Sequence, residues 1–153
     1  IEVRVHPQSV VHALVELADG AMLAQLSTPD MLMPVQYAMS YPERWDCAVP
    51  SCDLPRWGAL GFERPDIEAF PALGLAYRAA RTGGTAPAAL NAADEVAVAA
   101  FLERRLAFPA IAEVVEEVLD RAGNRPADSL EAVTLADREA RALALEAVAA
   151  RGH

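Results

Sequence analysis

The chain has 153 residues and a formal net charge of −9, a sign that repels phosphate backbones and argues against nucleic-acid binding. Apolar residues make up 54% of it but aromatics only 6%, so its core is built mostly from Ala, Val and Leu, and helices are the natural use of so much Ala. No apolar run is long enough to cross a bilayer, and two cysteines, Cys47 and Cys52, are too few for a disulfide framework.

Residues 1–5 alternate apolar with polar, which predicts a strand with one buried face. Pro7 ends it, having no N–H for the ladder. The sequence opens on this alternation without an initiator Met, so the expectation is a strand entered midway, in a piece of a longer protein. Residues 10–17 predict a second strand. Val11, Ala13, Val15 and Leu17 share one face, and Val10, His12, Leu14 and Glu16 the other. Ala18-Asp19-Gly20 is a turn with Gly available for a positive φ, and residues 22–26 return as the second arm of a hairpin. Thr28-Pro29-Asp30 reads as a loop leading into a helix over residues 31–39, capped by Thr28 or Asp30. Pro34 is tolerable there only in the first turn. Tyr41-Pro42-Glu43-Arg44-Trp45 ends that helix. Residues 46–70 are irregular and proline-rich; within them only residues 59–62 suggest a short strand, and Trp57, Leu60 and Phe62 need something to pack against.

From Pro71 the pattern turns helical. One helix is expected from Pro71 to Arg81, stopped by Gly83-Gly84. A second runs from near Ala86-Pro87 to about Arg105, with Leu90, Ala93, Ala97, Ala100 and Phe101 on one face. A third starts at Phe108-Pro109, turns Ile111, Val114, Val115, Val118, Leu119 and Ala122 inward, and stops at Gly123. Residues 129–133 read as a short helical turn. Thr134 then caps a last helix reaching Ala150, with Asp137 three residues on as a variant capping box. Four helices on short loops predict a small up-down four-helix bundle.

Among the residues that carry chemistry, His12 stands out, on a strand between apolar neighbours. By spacing alone nothing makes it functional, and a structural histidine is the commoner reading. His6 is equally ambiguous, and His153 is expected to be terminal and unordered. Asp94-Glu95 and Glu116-Glu117 are neighbours in sequence, so on a helix they point about 100° apart and read as solvated faces rather than a metal site. Asn91 is placed on the inner half of its helix, tying the bundle to a loop. Cys47, Cys52, His6 and His12 could be combined on paper into a zinc site, but neither spacing matches a structural knuckle, and the cysteines read as reduced thiols. There is no glycine-rich phosphate loop after a strand, no nucleophile elbow and no HExxH.

Longer stretches then carry a resemblance. Glu2-Val3-Arg4-Val5-His6-Pro7-Gln8-Ser9-Val10-Val11-His12, Asp19-Gly20 with Leu23-Ala24-Gln25-Leu26, Pro29-Asp30-Met31 with Pro34, and Tyr41-Pro42-Glu43-Arg44 resemble signatures of 1-deoxy-D-xylulose-5-phosphate reductoisomerase. So does the helix running from Leu90-Asn91-Ala92-Ala93-Asp94-Glu95 to Leu102, where the family more often has Asn at the position of Asp94, and so does Phe108-Pro109-Ala110-Ile111. The resemblance implies an α+β chain: residues 1–45 as the end of a catalytic domain carrying a partial antiparallel or mixed sheet and a flanking helix, 46–70 as linker, and 71–153 as a four-helix bundle. It implies a cytoplasmic, homodimeric enzyme of the non-mevalonate isoprenoid pathway, paired through its sheet. That enzyme rearranges 1-deoxy-D-xylulose 5-phosphate on Mg or Mn and reduces the resulting aldehyde with NADPH to 2-C-methyl-D-erythritol 4-phosphate. By the same resemblance His12 is the catalytic-site residue facing substrate. Pro29 and Met31 line the pocket near the nicotinamide and the substrate carbons, Ser9 is a hydrogen-bonding neighbour, and His6 is structural. The family's NADPH domain, metal-binding carboxylates and phosphate-binding residues find no match here, so no metal ligand is assigned and the chain alone is expected to be inactive. The competing readings are a non-catalytic dimerisation or scaffold module and a pseudo-enzyme of the same descent.

Overall fold

A computed structural model describes residues 1–151, in two compact units, Ile1–Pro65 and Asp66–His153, the second described as far as Arg151. His153 lies outside the described residues.

The first unit is organised by an antiparallel hairpin of β1 (Val11–Glu16) and β2 (Met22–Leu26). Its turn is closed by the Leu17 N–H to Ala21 O and Gly20 N–H to Leu17 O hydrogen bonds, and by Asp19 Oδ1 accepting from Ala21 N–H. Gly20 takes φ +85°, a conformation that glycine adopts without steric cost. The ladder pairs Val11 with Leu26 but Ala13 with Gln25, so His12 is an extra residue, a bulge in β1. The strand expected over residues 1–5 is not formed. Only Val5 bridges, to Glu63: the alternation marks a face, but a strand also needs ladder pairing along its length, and the pairing here is a single bridge. The sheet is therefore a two-stranded antiparallel hairpin rather than a larger mixed one.

Helix α1 (Leu32–Ser40) follows, with Pro34 in its first turn, where a missing N–H costs nothing. Asp30 Oδ1 accepts from Leu32 N–H at 2.7 Å and opens it. The segment after α1 is held to α1 and to the loop after β2 by side-chain-to-backbone bonds. Gln36 Nε2 donates to the carbonyls of Trp45 and Asp46, and Thr28 Oγ1 to that of Pro50. One helical turn, α2 (Leu54–Trp57), starts on Pro55 at an early position. The short strand expected at residues 59–62 is absent. The bridge falls one residue later at Glu63, and Phe62 stacks on His6 instead.

The second unit holds α3 (Ala72–Thr82), α4 (Ala86–Leu102), α5 (Ala110–Arg121) and α6 (Leu130–Arg151). α4 packs on α3, α5 and α6, and α5 also on α3 and α6. Their shared core is small-residue: Ala89, Ala92, Ala93, Ala97 and Ala100 from α4 and Ala140, Ala144 and Ala147 from α6, closed by Val114, Val115 and Val118 of α5. Alanine at these positions lets helix axes approach closely. Leu90 and Phe101, expected inward, are partly buried.

Two features of the helical unit differ from expectation. α6 begins at Leu130, not after Thr134: Ser129 Oγ accepts from Ala132 N–H at 3.1 Å, a cap three residues apart, and nothing between them breaks the helix. Thr134 is interior, and Asp137 pairs with Arg141 within α6. Asn91 is exposed and donates to Glu95 of its own helix. The tie between a helix start and a loop is made by Thr85 and Asn124 instead. Thr85 is 1% exposed; its N–H donates to Arg125 O and Asn124 Oδ1, while its Oγ1 accepts from Arg125 N–H. Gly84 sits beneath this junction at φ +56°, where a Cβ would collide with Arg125 O and the Asn124 side chain.

Arginines join the helices at the surface. Arg141 on α6 bridges Asp137 and Glu95 of α4; Arg121 on α5 reaches Glu117 and Glu146 of α6; Arg151 returns from α6 to Glu117. Hydrogen bonds from Arg141 and then Asn91 hold the Glu95 carboxyl below its ordinary range. Those from Arg151 and then Arg121 do the same for Glu117.

Candidate functional site

The hairpin, the loop after it and α1 enclose an open cavity of about 590 Å³ within the first unit. Each element supplies its wall for a local reason. Ser9 enters from the turn before β1 with φ +51°, a strained setting for a residue with a Cβ. His12 enters because the bulge adds one residue against the partner strand and re-aims it. Ser27, buried, is held by its N–H donating to Val10 O at 3.1 Å. Pro29 and Met31 come from the loop that Asp30 braces against Leu32 N–H, and Met31 is 72% exposed, an apolar side chain offered to the opening.

The structure thus places all four site residues named from the sequence, Ser9, His12, Pro29 and Met31, on one cavity. The two histidines of this unit differ sharply. His6 is partly buried, with both ring nitrogens at hydrogen-bond distance from backbone atoms. His12 is exposed and has no hydrogen-bond or ion-pair partner among the described residues, leaving both ring nitrogens for a ligand.

The sequence reading missed the far wall. Tyr37 lies on α1 three residues after Pro34 and so shares its face. Arg44 stacks its guanidinium over the Tyr37 ring at 4.1 Å, and Tyr41 meets Tyr37 edge-on at 5.8 Å. From sequence the Tyr41-to-Arg44 stretch reads as a helix stop and as part of the family resemblance, with no site role; the i, i+4 spacing of Tyr37 and Tyr41 is the available signal. Chemically, the cavity pairs a free imidazole and two serine hydroxyls with an apolar lip of Pro29, Met31 and Met33, and sets a cation opposite. It suits an amphipathic ligand with hydroxyl and anionic groups.

Cys47 and Cys52 are free thiols, partly buried. Among the described residues no group of three or more His, Cys, Asp or Glu side chains is placed to hold a metal ion. No helix is long and apolar enough to cross a membrane among them.

Residues 26–143 match the family model described as the DXP reductoisomerase C-terminal domain. The 1-deoxy-D-xylulose 5-phosphate reductoisomerase of Ralstonia pickettii is 56% identical over 141 residues, 92% of this chain and 36% of the relative. That of Pseudomonas aeruginosa is 54% identical over 144 residues, 94% and 36%. Among solved structures, the enzyme from Zymomonas mobilis in complex with NADPH superposes with a TM-score of 0.90 at 44% identity, covering 96% of this chain and 39% of that one. A DOX-P reductoisomerase in complex with NADPH, fosmidomycin and magnesium gives 0.87 at 39% identity, covering 95% and 38%. The chain therefore spans little more than a third of the length of these relatives.

Proposed function

The chain belongs to the family of DXP reductoisomerase C-terminal domains, and from that premise we propose that it supplies one wall of the active site of an NADPH- and divalent-metal-dependent 1-deoxy-D-xylulose-5-phosphate reductoisomerase. The product is 2-C-methyl-D-erythritol 4-phosphate. The observation that carries this reading is the unpartnered imidazole of His12, exposed on the same cavity as Ser9, Pro29 and Met31.

Each residue has a role in this reading. His12 faces the sugar phosphate and holds a hydroxyl or carbonyl oxygen in place. Ser9 hydrogen-bonds beside it. Pro29 and Met31 form an apolar shelf that excludes water from the reacting carbons and seats the nicotinamide edge. The exposed lip of Met31 fits that ring, and NADPH when bound supplies the hydride. The described residues offer no cluster of three or more His, Cys, Asp or Glu side chains for the divalent cation, and in this reading its ligands come from outside them.

The finer architecture belongs to the same proposal. We read α3–α6 as an up-down four-helix bundle, residues 1–45 as the end of the catalytic domain and 46–70 as the linker. We place homodimerisation at the sheet, where Val15, Met22 and Leu23 are exposed on a hairpin too small to stand alone. The free thiols suit a cytoplasmic setting.

The test is NADPH oxidation that depends on 1-deoxy-D-xylulose 5-phosphate and on Mg or Mn, measured on the complete protein with the 153-residue chain alone as the inactive control. Robust turnover by the isolated chain, or none by the complete protein, would overturn the reading.

A further inference from the structure

We propose that His6 is a positioning residue for the His12 cavity, fixed as the neutral tautomer that carries its proton on Nδ1. The proposal rests on the functional reading above but draws on different atoms.

Its geometry leaves one protonation pattern. His6 Nδ1 lies 2.7 Å from Gly61 O, and a carbonyl oxygen only accepts, so Nδ1 carries the proton. His6 Nε2 lies 3.2 Å from Val10 N, whose N–H only donates, so Nε2 presents its lone pair. The ring also stacks on Phe62, with centroids 4.5 Å apart and planes within 9°. Gln8 repeats the arrangement two residues on: its Nε2 donates to Ala59 O and its Oε1 accepts from Gly61 N–H. Three side-chain-to-backbone bonds thus hold the turn before β1 against residues 59–61, and a fourth, from Val10 N–H to His6, closes the turn on itself.

What they hold is the cavity wall. Val10 is fully buried; its N–H is spoken for by His6 and its carbonyl by Ser27 N–H. Ser9 and Ser27, both on the cavity, therefore flank one backbone unit that His6 anchors, and the His12 bulge begins immediately after it. Ser9 at φ +51° would relax toward an ordinary conformation without that anchor, since strain persists only where its surroundings over-determine it. Losing the Val10 bond also strands a buried N–H. His6 itself does not line this cavity and acts through Ser9 and Val10.

The test uses the complete enzyme. His6→Phe keeps an aromatic ring to stack on Phe62 and removes both nitrogen contacts; His6→Gln keeps one donor and one acceptor. With rates normalised to folded protein, His6→Phe is expected to lower kcat/KM for the sugar phosphate about ten-fold or more while KM for NADPH moves less, and His6→Gln to recover part of it. Independently, 15N chemical shifts of the wild-type His6 ring should report an Nδ1–H tautomer. That measurement holds even if a variant fails to fold. Wild-type kinetic constants in folded His6→Phe, or an Nε2–H tautomer, would overturn the proposal. A wild-type enzyme that does not turn over the sugar phosphate would instead overturn the functional reading, and it would show in the control.

Discussion

Six positions separate His6 from His12, and the two imidazoles do opposite work. One spends both nitrogens on backbone; the other spends neither. A histidine kept for structure is expected to resemble His6. Replacing His12 with Ala in the complete enzyme should therefore leave the thermal transition within about 0.5 kcal/mol of wild type, as for an exposed side chain without partners. The same change should cut turnover about ten-fold or more, within the range a positioned acid, base or hydrogen-bonding group contributes. Equal activity in steady-state assays would return His12 to a surface role. At this scale the sequence disclosed much, because Ser9, His12, Pro29 and Met31 fall within a short stretch that the hairpin folds together. It hid Arg44 and Tyr37, whose place depends on how α1 lies against the hairpin, and it hid the role of His6, whose partner lies 55 residues away.

Among the elements, the helices were legible where apolar spacing and proline or glycine punctuation agreed, as in α3 and α5. The expected strand at residues 1–5 failed because a ladder is a property of two segments, and alternation is read from one. The start of α6 failed because the Thr134–Asp137 spacing resembles a capping box and so splits residues 129–133 off as a separate turn, whereas the cap is Ser129. Experiment separates the two readings. Ser129→Ala removes the bond to Ala132 N–H and should cost about 1 kcal/mol. Thr134→Ala, inside the helix, should be neutral or slightly stabilising, since Ala has the higher helix propensity by roughly half a kcal/mol. Urea denaturation of the two variants would decide it, and a larger loss at Thr134 would restore the sequence reading. The cost of losing Asn91 as an inner residue is small, because Thr85 and Asn124 already satisfy the junction it was expected to serve.

At the scale of the molecule, the charge distribution sets an acid limit. Glu95 and Glu117 are held ionised by arginines, so their folded pKa values lie below the unfolded value near 4.5. The stability they contribute is fully present above that value and is lost as pH falls through the lower folded values. Glu95 is exposed and Glu117 only partly buried, so the effect is graded and weakened by salt. Thermal melts taken downward from pH 6 should fall more steeply for wild type than for a Glu95→Gln, Glu117→Gln double variant; parallel curves would mean the bridges contribute nothing. Net charge announced an acidic surface, but not that its arginines would cross between α4, α5 and α6, which needs the helices already packed.

The alanine-lined contact of α4 with α6 has a further consequence, at the level of the gene. A single-base change in an alanine codon yields Val, Thr, Ser, Pro, Asp, Glu or Gly. Most of these add bulk, polarity or charge to a closed contact, and overpacking alone costs about 1–3 kcal/mol. The exception that shrinks, Gly, weakens the helix by about 1 kcal/mol. Eight core positions thus have almost no tolerated neighbours in codon space. The helical unit should drift slowly at those sites and freely on its arginine-rich exterior, so that among descendants of this gene the contact outlasts the salt bridges that decorate it.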